Sequence, residues 1–295
     1  MISSDKKQLD KGMQEFPVQL VARDHFVDGT DLVIKEAPLE ITVAYGKQGQ
    51  RKKELIAVTM RTPGDDFNMV TGWLFNEHII HQASDILAIR FTGNYAEAAL
   101  QENAVLVELA PDLQVDFSNG KKFVTNSACG FCGNAYFDAA AHAGILIPFS
   151  GETKISLETL HRLPAAIQNL QGLFASTGGS HAVALFSFDG LLLKSAEDVG
   201  RHNAMDKLIG TMIKQQALPF SDCIAMFSGR LSYELVQKSL AAGIPVLASI
   251  GAPTSLALEL AGDYNMTVVG FLKSDRLNIY CGSERIAHLK THHPV

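Results

Sequence analysis

The sequence contains only four cysteines in 295 residues, too few for a disulfide framework to hold a chain of this length. It has no run near the roughly 18 apolar residues that a membrane helix requires. Its N-terminus is polar and lacks the apolar stretch of a secretion signal. We therefore expect a cytoplasmic protein without a membrane partner. The net charge of −6 gives no reason to expect nucleic acid as a partner, because duplex binding usually requires a basic face.

The chain is rich enough in apolar residues to build a large core. Apolar residues make up 47% of the sequence, and the length predicts one large domain or two modest ones. Alternating apolar patterns before residue 124 predict strands, with one helix at about residues 66–79 capped by Asp65 or Asp66. We expect residues 1–20 to form a frayed tail, residues 21–124 a β-rich subdomain, and residues 125–295 an α/β domain.

The second half alternates between strand and helix patterns, which predicts βαβ units and a parallel sheet covered on both faces. Asp189-Gly190 predicts a hairpin between two strands. Apolar spacing from Met205 to Met212 predicts a helix. Gly243 is placed to end a second helix, and Pro253 suits the first turn of a third.

Two of the cysteines fall in the motif Cys129-Gly130-Phe131-Cys132-Gly133. Glycine side chains shield nothing and glycine backbones tolerate positive φ, so this loop can present both thiols. Cys223 lies in an apolar strand pattern and is expected to be inert core, whereas Cys281 stands alone and is expected to be structural. The CxxC pair can react internally, share a metal or pass on a sulfur atom.

Four chemistries use such a pair. A structural zinc site needs four ligands, and the chain has no second CxxC or CxxH motif. A zinc deaminase needs H-x-E and P-C-x-x-C motifs, but no H-x-E occurs and Ala128 precedes Cys129. A thioredoxin-like enzyme places its pair after an early strand, unlike this chain. Sulfur transfer needs the fewest further motifs, because one thiolate accepts a persulfide sulfur and the second assists its release.

Three glycine- and serine-containing loops follow predicted strands or precede the hairpin. Such loops, with the helix N-termini beside them, can hold a phosphate, although ordinary turns and helix caps use the same residues. The segments are Thr177-Gly178-Gly179-Ser180-His181, Ser228-Gly229-Arg230 and Ser249-Ile250-Gly251-Ala252-Pro253-Thr254-Ser255.

The segment from Glu197 to Lys207, EDVGRHNAMDK, is dense in charged and polar side chains. A helix beginning near Arg201 puts His202 and Asp206 on one face, four residues apart. That pair can orient an imidazole for acid–base work. It can equally be a capped helix start with local ion pairs.

In this combination the motifs resemble the formate dehydrogenase accessory sulfurtransferases, the FdhD family. The resemblance extends from about residue 30 to residue 281, and EDVGRHNAMDK together with CGFCG is highly specific. The matching blocks, in chain order, are EAPL from Glu36, MRTPGDD from Met60, CGFCG, TGGSH from Thr177, EDVGRHNAMDK, SGR from Ser228, AGIP from Ala242 and RLNIY from Arg276.

The resemblance implies a fold and a function. The second half of such proteins is similar to the cytidine deaminase fold, a three-layer α/β/α arrangement, which here would lack zinc. The family members are similar to sulfur relays that take persulfide sulfur from a cysteine desulfurase. They deliver it to the molybdenum bis-guanine-dinucleotide cofactor of formate dehydrogenase. The resemblance also implies a homodimer.

Specific residues follow from the matched motifs. Cys129 would carry the persulfide and Cys132 would assist. A cofactor-binding segment, which a guanine nucleotide such as GDP would also occupy, matches Phe271-Leu272-Lys273-Ser274-Asp275-Arg276. Lys273 and Arg276 would contact phosphate. The other residues that the resemblance favours for cofactor binding are Gly178, His181, Ser228 and Arg230.

The chain differs from the family pattern at one position, and two functions other than sulfur transfer are considered. The helix of residues 66–79 ends in Glu77-His78, where the family pattern has a glutamate–glycine pair. A cofactor-binding chaperone would need the phosphate contacts but no cysteine. A thiol–disulfide oxidoreductase would need the cysteines but no sulfur donor.

Overall fold

The computed structural model describes residues 11–23, 25–93, 102–115, 117, 123–124, 154–215 and 220–287. They form a mixed α/β structure, as expected, and divide into two compact units whose chain segments alternate. The first unit holds the described residues up to 124 together with 171–180 and 197–215. The second holds residues 154–170, 181–196 and 220–287. The predicted boundary at residue 124 borders residues outside the described part, so it stays a prediction.

The described strands and helices are numbered in chain order. They are β1 (Met13–Ala22), β2 (His25–Ile34), β3 (Ala37–Tyr45), β4 (Lys52–Arg61), α1 (Asp66–Asn76), β5 (Ile86–Phe91), β6 (Ala104–Leu109), β7 (Phe123–Val124), α2 (Leu157–Gln168), α3 (Gly172–Thr177), β8 (His181–Ser187), β9 (Leu192–Asp198), α4 (Arg201–Lys214), β10 (Cys223–Phe227), α5 (Tyr233–Ala241), β11 (Val246–Ser249), α6 (Ser255–Asp263), β12 (Thr267–Gly270) and β13 (Asn278–Cys281). No described helix is both long enough and apolar enough to cross a membrane.

The first unit is built on a five-stranded sheet in the order β5-β6-β3-β4-β7. Alternate residues of β3 and β6 are fully buried and form the core with α1, as the alternating sequence pattern predicts. Arg61, at the end of β4, is fully buried and forms an ion pair with Asp66 at 2.6 Å. Its guanidinium also donates to the carbonyls of Ala37 and Glu102. One side chain therefore ties the EAPL and MRTPGDD blocks together.

Helices α1 and α4 of the first unit touch through their backbones. A Cβ added to Gly72 would lie 2.0 Å from the carbonyl oxygen of Asp206, and one added to Gly210 would lie 1.9 Å from that of Asn68. Neither position can accept a methyl group unless the helices separate. The two glycines thus set the distance between the helices.

Strands β1 and β2 form a separate antiparallel ribbon with ten residue pairs. The ribbon begins within the predicted tail, because residues 13–20 pair along their whole length with β2. The polar composition of the first fifteen residues hides the apolar alternation that starts at Phe16.

The second unit holds a six-stranded sheet in the order β13-β12-β11-β10-β8-β9. Only β10, β11 and β12 are parallel, whereas β8 and β13 run antiparallel to their neighbours. The sheet is therefore mixed, and the expectation of a parallel sheet holds only for its three central strands. All five residues of β10 are buried, so both faces are covered there. The deaminase-like layering stays a prediction.

Several predicted details can be compared with the structure. The Asp189-Gly190 hairpin forms, with Gly190 at φ 84°, and Gly243 follows α5 at φ 73°. Pro253 does not lie in the first turn of α6, because Thr254 is the N-cap and Pro253 instead forms a bridge with Leu231. His78, where the resemblance implies glycine, has a φ of 56°, a conformation that glycine adopts more easily.

Candidate anion site at the strand ends of the second unit

Several polar loops of the second unit lie where β10, β11 and β12 end. Phe227 pairs with Ser249 and Ala248 with Val269, so the carboxyl ends of these parallel strands lie side by side. β8 runs antiparallel to β10, which brings its first residue, His181, to the same edge. Sites in α/β sheets gather at such edges.

The loops after β10 and β11 are bound to each other. The Ser249 hydroxyl donates to the carbonyl of Gly229 and accepts from the amide of Gly251 at 3.0 Å. A Cβ added to Gly251 would lie 3.0 Å from the amide nitrogen of Arg230. Any larger residue would therefore push the two loops apart.

The segment after β12 continues this arrangement. The amide of Phe271 donates to Gly251, and the amide of Leu272 donates to Ser249, each at 3.0 Å. The amide of Lys273 donates to the carbonyl of Arg276 at 2.8 Å and closes a turn. Phe271 is 45% exposed and has a φ of 50°, a strained conformation for a residue with a side chain. Leu272 is fully buried and anchors the segment to the core.

These loops carry three positively charged side chains. The side chains of Arg230, Lys273 and Arg276 are exposed, and none of them is paired with another described residue. Helices α5 and α6 begin at the same edge and direct backbone amides toward it. Together these groups can bind an anion such as a phosphate.

Ser228 and His181 support the first loop. The Ser228 hydroxyl accepts from the amide of Ala182 at 2.8 Å, and the Ser228 amide donates to the carbonyl of Ala182 at 3.0 Å. The imidazole of His181 lies next to Gly229, within about 3.1 Å of where a Cβ would be. Among the predicted site residues, the structure thus brings together His181, Ser228, Arg230 and Phe271 through Arg276. Gly178 belongs to the first unit, where it ends α3 at φ 68°.

Two further residues support the site, and the sequence missed one of them. His161 on α2 makes a 2.8 Å hydrogen bond through Nδ1 with the carbonyl of Lys273. Ser249 joins the two loops, as described above. Ser249 lies in a segment that the sequence singled out, whereas His161 is 112 positions from its partner and carries no local signal.

The EDVGRHNAMDK segment has a different role in the first unit. Asp198 is fully buried and accepts hydrogen bonds from the amides of Thr62 and Gly200. Lys207 is 2% exposed, contacts Asp198 at 2.7 Å, and donates to the carbonyls of Thr62 and Glu197 at 2.9 and 3.3 Å. All three ammonium hydrogens of Lys207 therefore have acceptors, and the motif ties the MRTPGDD loop to α4.

Two other charged residues of this motif also have structural contacts. Glu197 accepts from the amides of Leu173 and Phe174, at the start of α3. Asp206 is 1% exposed and accepts from the side-chain amide of Asn76 at 2.6 Å. These contacts favour the interpretation of the segment as a helix start with local ion pairs.

The cysteines fall into two groups. Cys129 and Cys132, with the CGFCG loop, lie outside the described residues. Burial raises the pKa of the Cys223 thiol to about 11, and it raises the pKa of Cys281 as well. A thiol with a raised pKa holds its proton at neutral pH and is a poor nucleophile, which agrees with the expectation that Cys223 is inert. The described residues contain no group of three or more metal-ligating side chains.

Comparison with known proteins agrees with the motifs. Three relatives, each named "Sulfur carrier protein FdhD", come from Mycobacterium tuberculosis, Streptomyces coelicolor and Sulfolobus acidocaldarius. They are 38%, 40% and 39% identical to this chain over 274, 260 and 256 residues. The matches cover 91%, 87% and 87% of this chain, and 96%, 89% and 91% of the relatives.

A solved structure shares the fold. It is described as that of a formate dehydrogenase accessory protein from Desulfotalea psychrophila, and it superimposes with a TM-score of 0.68 at 21% identity. The match covers 93% of this chain and 99% of that one. The sequence pattern of the FdhD/NarQ family matches residues 34–287. The chain therefore belongs to the FdhD/NarQ family.

Proposed function

We propose that this chain is a sulfur carrier that accepts sulfur as a persulfide on Cys129 and transfers it to a molybdenum cofactor needed by formate dehydrogenase. The name shared by its relatives, which match most of its length at 38–40% identity, carries the sulfur-carrier part of this proposal. The CGFCG motif supports it, because two adjacent thiols suffice to accept and release one sulfur atom. Cys223 and Cys281 are poor alternatives, since burial raises both pKa values.

The proposed transfer has two chemical steps. The Cys129 thiolate attacks the outer sulfur of a persulfide on a cysteine desulfurase, and the desulfurase thiolate leaves. Cys132 then attacks the inner sulfur of the Cys129 persulfide, so that a disulfide forms and sulfide leaves as the ligand for molybdenum. The two cysteines are oxidised as the transferred sulfur is reduced, and a cellular dithiol reduces the disulfide afterwards.

The strand-end loops of the second unit fit the nucleotide end of the acceptor. A bis-guanine-dinucleotide cofactor carries pyrophosphate groups, and Arg230, Lys273 and Arg276, which pair with no other described residue, offer positive charge for them. Phe271, exposed beside these cations, offers an apolar surface to the guanine base. We assign these loops as the binding site for the cofactor and for GDP.

Persulfide formation is the direct test of the first step. After incubation with a cysteine desulfurase and cysteine, the wild-type chain should gain roughly 32 Da per sulfur atom by intact mass spectrometry. Cys129→Ala should gain nothing, whereas the control Cys223→Ala should gain as much as the wild type. A chain that gains no mass yet binds GDP normally would instead be a cofactor-binding chaperone. Turnover of a disulfide with a dithiol and no sulfur donor would identify an oxidoreductase.

Nucleotide binding tests the second site. Arg276→Ala should weaken GDP binding by about tenfold or more in isothermal titration calorimetry, because hydrogen bonds to charged groups contribute about 1.5–3 kcal/mol. Arg162→Ala is the control, since Arg162 lies in the same unit, is 64% exposed and forms an ion pair with Glu158. Equal GDP affinity in both variants would remove the strand-end loops from the proposal.

A further inference from the structure

The β1–β2 ribbon has two outer edges, and its register fixes which backbone groups point to each of them. Ala22 and His25 are paired across the turn, and such a closing pair exchanges backbone hydrogen bonds. Along an antiparallel ladder, bonded pairs alternate with pairs that are not bonded. The bond from the Lys35 amide to the Gly12 carbonyl, at 2.7 Å, follows this alternation at the other end. The residues of β2 whose amides and carbonyls point outward are therefore Phe26, Asp28, Thr30 and Leu32.

The two edges differ in their capacity to bind a further strand. Pro17 occupies an outward position of β1, opposite Thr30, and has no N–H to donate. β2 contains no proline and is exposed over most of its length. The carboxylate of Asp31 accepts from the outward amide of Leu32 at 2.9 Å. Within the described part of the chain, the outward amides and carbonyls of residues 26–30 have no partner.

A strand edge of this kind favours the addition of another strand, because unpaired amides and carbonyls in a row act as a template. The ribbon itself gains little stability from its own two strands. Phe26 and Val27, on opposite faces of β2, are 72% and 57% exposed. A third strand along β2 would therefore satisfy its outward backbone groups and cover apolar side chains on both faces.

The charge of the ribbon indicates what kind of strand can bind. Its two strands contain Glu15, Asp28 and Asp31 but no lysine or arginine, and none of these three carboxylates forms an ion pair with another described residue. Asp28 and Asp31 lie on opposite faces of β2. The β2 strand of a second copy would bring like charges together at this edge, whereas a strand with lysine or arginine would form favourable cross-strand pairs.

We propose that the β2 edge binds an extended segment of a different protein, which adds to the ribbon as a third strand. Backbone hydrogen bonds to residues 26–30 give the affinity, and the side chains of the segment give the selectivity. Its basic residues lie opposite Asp28 and Asp31, and its apolar residues lie toward the exposed tip of the ribbon. Nearly all of the ribbon lies ahead of residues 34–287, which match the family pattern, so that pattern does not describe this edge.

A synthetic strand tests this edge independently of sulfur transfer and of nucleotide binding. The probe is a fluorescein-labelled peptide with the sequence lysine-threonine-phenylalanine-lysine-valine-valine, which in antiparallel orientation places its lysines opposite Asp31 and Asp28. Its phenylalanine then covers Gly29, and its valines lie opposite Val27 and Phe26. The full chain should bind this peptide saturably in fluorescence anisotropy. The same peptide with glutamate in place of both lysines should bind at least about tenfold more weakly, because like charges then face each other.

Proline substitutions separate the two edges of the ribbon. Thr30→Pro removes an outward amide of β2 but no bond to β1, so it should weaken binding of the lysine peptide at least about tenfold. Val21→Pro is the matched control, because it removes an outward amide of β1 and should leave the affinity unchanged. Circular dichroism should show that both variants keep the wild-type fold.

Removing the acidic charge tests the selectivity without proline. Asp28→Asn/Asp31→Asn keeps the shape of both side chains, and it should bind the lysine and glutamate peptides within about twofold of each other. The proposal would be overturned by a wild type that binds neither peptide, as expected if another segment of this chain or a second copy covers the edge. It would also be overturned by equal affinity of the wild type for both peptides, or by a Thr30→Pro variant that folds and binds as the wild type does.

Discussion

Replacing Lys207 with methionine should lower the free energy of unfolding by about 3–5 kcal/mol, the usual cost of removing one partner from a buried ion pair. Methionine fills a similar volume, so the change mainly removes charge and three hydrogen bonds. Asp198 is fully buried and would lose the cation that pairs with it. The carbonyl oxygens of Thr62 and Glu197 would also lose their shared donor. Urea unfolding monitored by circular dichroism gives the value.

A second ion pair in the same unit is the matched control. Lys11 contacts Glu102 at 2.8 Å, but the two side chains are 44% and 40% exposed. Lys11→Met should therefore cost about 1 kcal/mol or less. The double variant Lys207→Met/Asp198→Asn should be more stable than Lys207→Met alone, because no unpaired charge remains. Equal costs for Lys207→Met and Lys11→Met would contradict the assigned role of the buried network.

Adding one methyl group to Gly210 should destabilise the first unit by about 3 kcal/mol or more, at the upper end of what overpacking costs. The new Cβ would lie 1.9 Å from the carbonyl oxygen of Asn68, and a backbone atom cannot rotate away as a side chain can. The helices α1 and α4 must therefore separate, and the contacts that they share weaken. Thermal and urea unfolding of Gly210→Ala measure the loss.

The same substitution at Gly262 should have the opposite effect on stability. Gly262 also lies in a helix, α6, but nothing approaches its added Cβ within 4 Å. Gly262→Ala should therefore stabilise the chain by up to about 1 kcal/mol, since alanine has the higher helix propensity. If Gly210→Ala also raised the stability, backbone entropy rather than helix contact would dominate at Gly210.

Local sequence patterns predicted the helices and strands better than they predicted which distant residues contact each other. The helix α4 and the strand β10 follow from apolar spacing that is visible in short windows. The bond between Thr62 and Asp198 joins residues 136 positions apart, and no local pattern could indicate it. The charged residues of EDVGRHNAMDK suggested acid–base chemistry for the same reason, since their buried partners lie elsewhere in the sequence.

The site was predicted in part. The segment Ser228-Gly229-Arg230 could be named because glycine, serine and a cation after a strand are recognisable, whereas Phe271 through Arg276 came only from the family resemblance. The antiparallel direction of β8 and β13 could not be predicted, because side-chain alternation is the same in parallel and antiparallel strands. Pro253 was misplaced by only a few residues, since helix starts are the least defined part of such patterns.

The alternation of the two units along the chain has a consequence for synthesis. The first unit takes α4 from residues 201–214, far behind its sheet strands. Ribosomes add roughly 5–20 residues per second, so the sheet of the first unit emerges many seconds before the helix that covers α1. During that interval the surface around Gly72 and the acceptors of Lys207 are uncovered. The nascent chain should then bind chaperones that recognise apolar surface until residue 214 has left the ribosome.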